Sequence, residues 1–295
     1  MAKPAIHVGP EPLDYLVDAV RQGGGEVVPL DEAEAIVWAG PEEDLQDFPK
    51  TVRWVQLQSA GIEPWIERIR NTPGVLFTSA VGAYATQVAE HALALLLAGT
   101  RGIHRYARNT TWEPHDDRVL EGSTVAVIGA GGIGKQLIRM LEPHDVEIVA
   151  VTRSGRDGTL SVEQLPGVWG TADHFVICAP ATADTEHLVG ATELARMRPH
   201  SWVVNIARGS LIDTDALLEA LNNNTIGGAA LDVTDPEPLP DDHPLWRHPR
   251  ALITPHVANP PNTMARDLAK RIRENVKRFA NGAELLAPVN PDQGY

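Results

Sequence analysis

Apolar residues fall in two rhythms along the chain. Short runs such as "AIHVG" (5–9), "EVVPL" (26–30), "AIVWAG" (35–40), "VRWVQLQ" (52–58) and "GVLFT" (74–78) have the length and β-branched content of buried strands. Between them, "PLDYLVDAVRQ" (12–22) and "PWIERIRN" (64–71) repeat apolar residues at helical spacing. This alternation predicts a parallel sheet covered by helices. A second series begins near residue 120. "STVAVIGA" (123–130), "EIVAVT" (147–152), "HFVICAP" (174–180), "SWVVNIA" (201–207), "GGAALDV" (227–233) and "RALITPHV" (250–257) predict six more strands. Helical patterns such as "GIGKQLIRMLEP" (132–143) and "DTDALLEALNNN" (213–224) separate several of them. The fold class is therefore α/β, two units of doubly wound parallel sheet, without an internal repeat strong enough to indicate duplication.

Two longer segments connect the series. "TQVAEHALALLLAGTRGIHRYARN" predicts one helix over 86–109, with Thr86 as its N-cap. "NTMARDLAKRIRENVKRFANG" predicts another over 262–282, stopped by Asn-Gly. The proline-rich tail "AELLAPVNPDQGY" is expected on a surface. If the last helix returns to the first unit, the second is an insertion. Residues 1–94 with 266–295 then form one domain, 95–265 the other, and a ligand cleft is expected between them.

Composition narrows the class. Of 295 residues, 43% are hydrophobic and 22% charged, the balance of a globular protein, not a disordered one. The formal charge of −14 repels phosphate backbones, which argues against nucleic-acid binding through bulk electrostatics. Any anionic ligand must meet a local arginine or helix N-terminus instead. The single cysteine, Cys178, cannot staple the fold, fits a reducing cytoplasm, and in "HFVICAP" reads as a packed thiol. "MAKPAIHVGP" lacks the apolar core of a secretory leader, and "ALALLLAG" is far short of the ~20 residues of a membrane span. A membrane partner is not expected, and no histidine spacing fits a metal motif, His243 and His248 included.

The strongest local signal is "VAVIGAGGIGKQL". Gly129, Gly131 and Gly134 fit G-x-G-x-x-G between a predicted strand and helix. The first glycine permits the tight turn, the second lets the backbone approach a pyrophosphate, and the third lets the helix pack on the strand. The amides of Gly131, Gly132 and Ile133 then face an anion at a helix N-terminus. An acidic residue some ~20 positions on normally receives the adenosine ribose. Here the strand ends in Thr152, Arg153 and Ser154. Without a carboxylate, repulsion of a 2′-phosphate is removed. Arg153 offers that phosphate a charge-assisted fork, and Arg156 a second positive charge. NADP(H) is therefore favoured, with NAD(H) as the alternative if both arginines are only solvated loop residues.

Chemistry-bearing residues follow three later strands. Arg208 stands in "NIARGSLID", Asp232 and Glu237 in "ALDVTDPEPLPDDHPLW", and His256 in "ALITPHVANPP". Ligands of open α/β sheets bind outside the carboxyl ends of the strands, so these loops converge on the edge that carries "GAGGIG". A guanidinium there can bind and polarise a 2-oxo acid. An imidazole can move the proton, and a carboxylate can orient the imidazole and favour its protonated form.

In the order and combination of "VQLQSAGIEPW", "VAEHALALLLAGTR", "VIGAGGIG", "ICAPATADTEHLVG", "NIARGSLIDTDALLEAL", "ALDVTDPEPLP" and "TPHVA", the chain resembles the D-isomer-specific 2-hydroxyacid dehydrogenase family over nearly its whole length. The resemblance implies two Rossmann-like domains, one flavodoxin-like and one dinucleotide-binding and inserted, in a homodimer. It implies that Arg208 binds substrate, that Glu237 and His256 form the acid–base pair, and that Asp232 receives the nicotinamide carboxamide. By the same resemblance, amides of Ser59, Ala60 and Gly61 hold the substrate carboxylate, and Ala179 and Pro180 lie beside the adenosine and ribose. Ile206 and Ala207 of "NIARG" join the cofactor-binding set.

The implied activity is hydride transfer between NAD(P)H and C2 of a small 2-oxo acid, with glyoxylate or hydroxypyruvate favoured. Phosphoglycerate oxidation is the enzymatic alternative, less expected because many such enzymes carry a long C-terminal regulatory extension that is not expected here. A dinucleotide-sensing, corepressor-like binding protein is the alternative from another class. Departures from the pattern are Thr152 in place of the acid, Thr234 where an aromatic residue is common, and short segments at 112–120 and 153–160. Tyr84, Trp54, Trp65 and Trp246 are candidates for lining the substrate.

Overall fold

The computed structural model describes residues 3–291; Met1 and Ala2 of the N-terminal stretch and 292–295 of the tail lie outside the described residues. Its helices are α1 (Asp14–Gln22), α2 (Ile66–Asn71), α3 (Ala85–Thr100), α4 (Ile103–Tyr106), α5 (Gly132–Leu141), α6 (Leu165–Val168), α7 (Ala191–Arg196), α8 (Thr214–Asn222) and α9 (Pro261–Ala280). Contacts divide the chain into two compact units: residues up to Tyr84 with those from Pro260 on, and Ala85–Asn259. These divisions fall before the expected ones near 95 and 265 for a packing reason. α3 packs against α4, α5 and two strands of the second unit, and α9 packs against α1 of the first.

The first unit has five parallel strands, β1 (Ala5–Gly9), β2 (Glu26–Val27), β3 (Ala35–Trp38), β4 (Trp54–Leu57) and β5 (Leu76–Thr78). Their order, β2-β1-β3-β4-β5, is the flavodoxin-like one. β3 and β4 are buried at every residue, as central parallel strands covered on both faces must be. Trp54 and Trp65 are 0% and 4% exposed in the core of this unit, and Tyr84 is 7% exposed with its hydroxyl given to Gln58 O.

A buried polar network ties the tail to this sheet. Asn275 of α9 donates Nδ2 to Gln56 Oε1 (2.8 Å) and Leu286 O (3.1 Å), and its Oδ1 accepts from Leu286 N (2.7 Å). The tail then pairs with the free edge of β5: Ser79 N donates to Ala287 O and Val289 N to Phe77 O. The described tail is therefore not simply laid on a surface. It covers an otherwise open strand edge, which would invite pairing with other chains.

The second unit has seven parallel strands, β6 (Thr124–Ile128), β7 (Glu147–Thr152), β8 (Leu160–Ser161), β9 (His174–Ile177), β10 (Trp202–Asn205), β11 (Gly228–Leu231) and β12 (Ala251–Ile253). Two-residue β8 escaped the sequence pattern because it is too short to show a period. The order β12-β11-β10-β9-β6-β7-β8 reverses direction between β6 and β9, the topological switch point of a dinucleotide-binding sheet. The single helix predicted over 86–109 is instead two. Thr86 lies inside α3 rather than capping it, and Gly102 (φ 62°) breaks the run before α4. No helix among the described residues is long and apolar enough to cross a membrane.

Asn275→Leu should destabilise the first unit. It removes the side-chain partner of Leu286 N and O in a half-buried setting, at up to about 1–3 kcal/mol for each group left unsatisfied. The expected result is a thermal midpoint several degrees lower by calorimetry. An unchanged midpoint would show that the network contributes nothing.

Candidate active site

The glycine turn sits at the switch point. Gly129 adopts φ 101°, and a Cβ there would stand 2.6–2.7 Å from the backbone of Cys178 and Ala179 in the loop after β9. A Cβ on Gly134 would stand 2.1 Å from Gly129 O, so the helix can press onto the strand only without a side chain. A Cβ on Gly131 would meet nothing within 4 Å: the space in front of it is open. Two glycines are thus required by the protein itself, and the middle one faces empty space. Gly131 is the N-cap of α5, whose first-turn amides at Gly132 and Ile133 have no partner within the helix. This cradle fits a pyrophosphate. Ala179, whose N a Cβ on Gly129 would approach, is buried at 9% exposure in the loop after β9; Ile206, in the loop after β10, is buried at 6%, and Pro180 is exposed.

At the end of β7, Thr152 is occupied with its own loop. Its hydroxyl meets Thr159 Oγ1 at 2.6 Å and accepts from Gly155 N. Ser154 bridges to Ser161. Arg153 is exposed, with its guanidinium 3.2 Å from Asp184, itself exposed. A solvated pair of this kind contributes about 0–1 kcal/mol and does not withhold the arginine from a stronger anion. Cys178 is only partly exposed, and burial of its thiol pushes its pKa up to about 12, so it is a protonated thiol at neutral pH.

Arg208, Glu237 and His256 follow β10, β11 and β12. Gly209 brings the first two loops together: a Cβ on it would lie 1.9 Å from Thr234 O, so only glycine lets the chain after Arg208 rest on the segment leading to Glu237. Asn205 fixes the turn, accepting from Ala207 N and donating to Arg208 O. The Arg208 guanidinium donates to Ala207 O at 2.7 Å. Glu237 Oε1 is 2.5 Å from His256 Nδ1, with both side chains about half exposed. A carboxylate oxygen only accepts, so the proton lies on Nδ1 and Nε2 is left for exchange.

The loop carrying His256 is anchored by Asp232, which is 2% exposed. Oδ1 accepts from Thr254 Oγ1 (2.5 Å) and Val257 N (3.0 Å), and Oδ2 from Ala258 N (3.0 Å). Its backbone O accepts from His256 N at 2.8 Å. Burial alone would raise the Asp232 carboxyl. Hydrogen bonds from His91, Thr254 and the amides of Val257 and Ala258 outweigh it and hold the group down at about 2. This anchor is therefore fully present above the ordinary carboxylate range, near pH 4, and is lost only as pH falls through about 2. The residue expected to receive a carboxamide is thus already engaged by its own chain.

His91, on α3, is the residue that sequence reasoning missed. Its Nε2 lies 3.0 Å from Thr254 Oγ1 and 3.3 Å from Asp232 Oδ1. The signal was a polar side chain within the apolar stripe of "VAEHALALLLAG", which needs a partner when packed. His243 and His248 accept local amides at Leu245 and Arg250, and Trp246 donates to Pro240 O. Among the described residues, no three His, Cys, Asp or Glu side chains group as metal ligands. Ser59, Ala60 and Gly61 lie in the first unit after β4, where Ser59 O accepts from Ala80 N.

The sheet order and glycine turn define a dinucleotide-binding domain, and comparison with known proteins agrees. Residues 93–258 match the family model for the NAD-binding domain of D-isomer-specific 2-hydroxyacid dehydrogenases. A Corynebacterium melassecola protein named for its place in the proB 3′ region is 38% identical over 290 residues, 94% of this chain and 95% of its own. Glyoxylate/hydroxypyruvate reductase A of Klebsiella pneumoniae is 29% identical over 88% of this chain and 87% of its own. Among solved structures, the NADPH-dependent glyoxylate/hydroxypyruvate reductase of Sinorhizobium meliloti, in complex with NADP and malonate, superposes with a TM-score of 0.76 at 25% identity, covering 98% of each chain. The chain belongs to the D-isomer-specific 2-hydroxyacid dehydrogenase family. It is an NAD(P)-dependent oxidoreductase.

The glycine geometry separates two substitutions. Gly131→Ala should leave the thermal midpoint unchanged, because nothing lies within 4 Å of the new methyl, yet weaken dinucleotide binding. A loss of about tenfold or more corresponds to ~1.4 kcal/mol. Gly134→Ala should instead destabilise by about 1–3 kcal/mol through overpacking. Calorimetry and a fluorescence titration with NADPH read both. Undiminished binding by Gly131→Ala would exclude the cradle.

Proposed function

We propose that this enzyme reduces a small 2-oxo acid of the glyoxylate or hydroxypyruvate type, using NADPH in preference to NADH. The observation that carries the reading is the bond between His256 Nδ1 and Glu237, formed by loops that follow strands of the same parallel sheet as the glycine turn. The names of the Klebsiella and Sinorhizobium relatives support the substrate class. The cofactor preference is supported by the hydroxyl of Thr152 in place of a carboxylate, the exposed Arg153 beside it, and the NADPH dependence of the Sinorhizobium relative.

The amides of Gly131, Gly132 and Ile133 would hold the pyrophosphate, Arg153 with Ser154 the 2′-phosphate, and Ala179, Pro180, Ile206 and Ala207 would border the cofactor. When bound, the reduced nicotinamide supplies the hydride taken up at C2. The chain's own work is positioning, charge and the proton. Arg208 pairs with the oxo acid and stabilises the negative charge that grows on the C2 oxygen. His256, with Nδ1–H committed to Glu237, gives the proton on Nε2 to that oxygen. Glu237 fixes the tautomer and ring orientation and stabilises the cationic imidazole consumed in each reduction. In oxidation, His256 takes the proton back. Ser59, Ala60 and Gly61 keep the carboxylate-binding role that the family resemblance implies.

The test is absorbance at 340 nm with NADPH or NADH and a panel of 2-oxo acids. Turnover of glyoxylate or hydroxypyruvate is expected, and tight cofactor binding without turnover of any acid would contradict the proposal. In the same assay, His256→Ala should slow reduction by about 10²–10⁴-fold, the usual contribution of a general acid. Unchanged turnover would remove it from the mechanism. Arg153→Ala should weaken NADPH binding much more than NADH binding. Equal losses would return Arg153 to the role of a solvated loop residue.

A further inference from the structure

His91 lies outside the loops that carry Arg208, Glu237 and His256, on the buried side of α3, with a side chain about a quarter exposed. Its contacts have a fixed direction. Asp232 Oδ1 can only accept, so the Thr254 hydroxyl, 2.5 Å away, donates to it. That commits the hydroxyl proton and leaves Thr254 Oγ1 as the acceptor for His91 Nε2–H at 3.0 Å. The same N–H also leans on Oδ1 at 3.3 Å. A one-way chain therefore runs from His91 through Thr254 to Asp232.

Asp232 passes this order to the candidate acid. Its side chain takes the amides of Val257 and Ala258, and its backbone oxygen takes the amide of His256. Three consecutive amides of the loop are thus held by one residue. The loop needs holding: His256 sits at φ 51°, in the left-handed region, which costs a side chain with a Cβ about 1–2 kcal/mol. Such a conformation persists only where its surroundings over-determine it.

We infer that His91 is a positioning residue for His256, acting through Thr254 and Asp232. Removing the imidazole leaves Thr254 Oγ1 without its donor and takes one donor from a carboxylate that is 2% exposed. The loop then relaxes from its strained geometry, and the imidazole of His256 shifts with it. An effect on turnover follows because a misplacement of about 1 Å can cost on the order of 10²-fold in rate. The inference rests on the proposal that His256 moves the proton, and its test is arranged so that the two can fail separately.

The full chain is assayed for NADPH-dependent reduction of hydroxypyruvate as wild type, His91→Ala, His91→Gln, Thr254→Val and His256→Ala, with NADPH affinity measured by fluorescence titration. His91→Ala should lower kcat about 10- to 100-fold while NADPH affinity stays within about twofold. His91→Gln places an amide N–H at a similar reach and should recover to within about threefold of wild type. Thr254→Val keeps the shape but removes the hydroxyl, so it should lose as much as His91→Ala, and it serves if that variant does not fold. Wild-type kcat in His91→Ala or Thr254→Val overturns the inference. So does a glutamine variant as impaired as the alanine one, or a fall in NADPH affinity matching the fall in kcat. If His256→Ala turns over at the wild-type rate, the acid–base proposal and this inference fall together. If only His256→Ala is impaired, the inference falls alone.

Discussion

Parallel strands cannot be joined by a tight turn; the chain must cross back over a sheet face before each new strand. Every strand of such a sheet therefore ends at the same edge. In the second unit this constraint places the glycine turn after β6, Ala179–Pro180 after β9, Arg208 after β10, Asp232 and Glu237 after β11, and His256 after β12 along one edge. None of these residues needs to be near another in sequence. Once the register is fixed, two close approaches refine the arrangement: Gly129 against the backbone at Cys178 and Ala179, and Gly209 against Thr234.

Within that edge, rigidity and exposure are divided between two carboxylates. Asp232 is buried, saturated with donors, and keeps the His256 loop in place. Glu237 is about half exposed and makes one short bond to the imidazole. The buried carboxylate holds the backbone and the exposed one holds the ring. His91 adds a support from a helix that carries none of the other candidate site residues.

Much of this was legible in the chain, for identifiable reasons. The apolar runs of β3, β4, β6, β9, β10 and β11 are continuous because those strands are buried on both faces, so their pattern was strong. The G-x-G-x-x-G spacing was legible because backbone sterics allow no side chain at Gly129 or Gly134. What escaped was set by tertiary contact. Two-residue β8 has no period to read. The break at Gly102 competes with flanking residues that favour a helix. The tail covers β5 because of Asn275, far away in sequence. Trp54 and Trp65 were candidate lining residues from their type alone, whereas their burial depends on the sheet around them. Asp232 was read by position, but its occupation by Thr254 and two amides, and the partnership of His91 with Thr254, exist only after folding.

The central claim is that one edge of the parallel sheet presents a held imidazole and a guanidinium to the carbonyl oxygen of a 2-oxo acid. A crystal structure with NADP and an unreactive dicarboxylate mimic, such as oxalate, tests it most directly. The account predicts one oxygen of the mimic within hydrogen-bond reach, about 2.6–3.2 Å, of both His256 Nε2 and Arg208, with the His256–Glu237 bond retained. A mimic bound away from both side chains, or an imidazole turned off Glu237 when it binds, would contradict it.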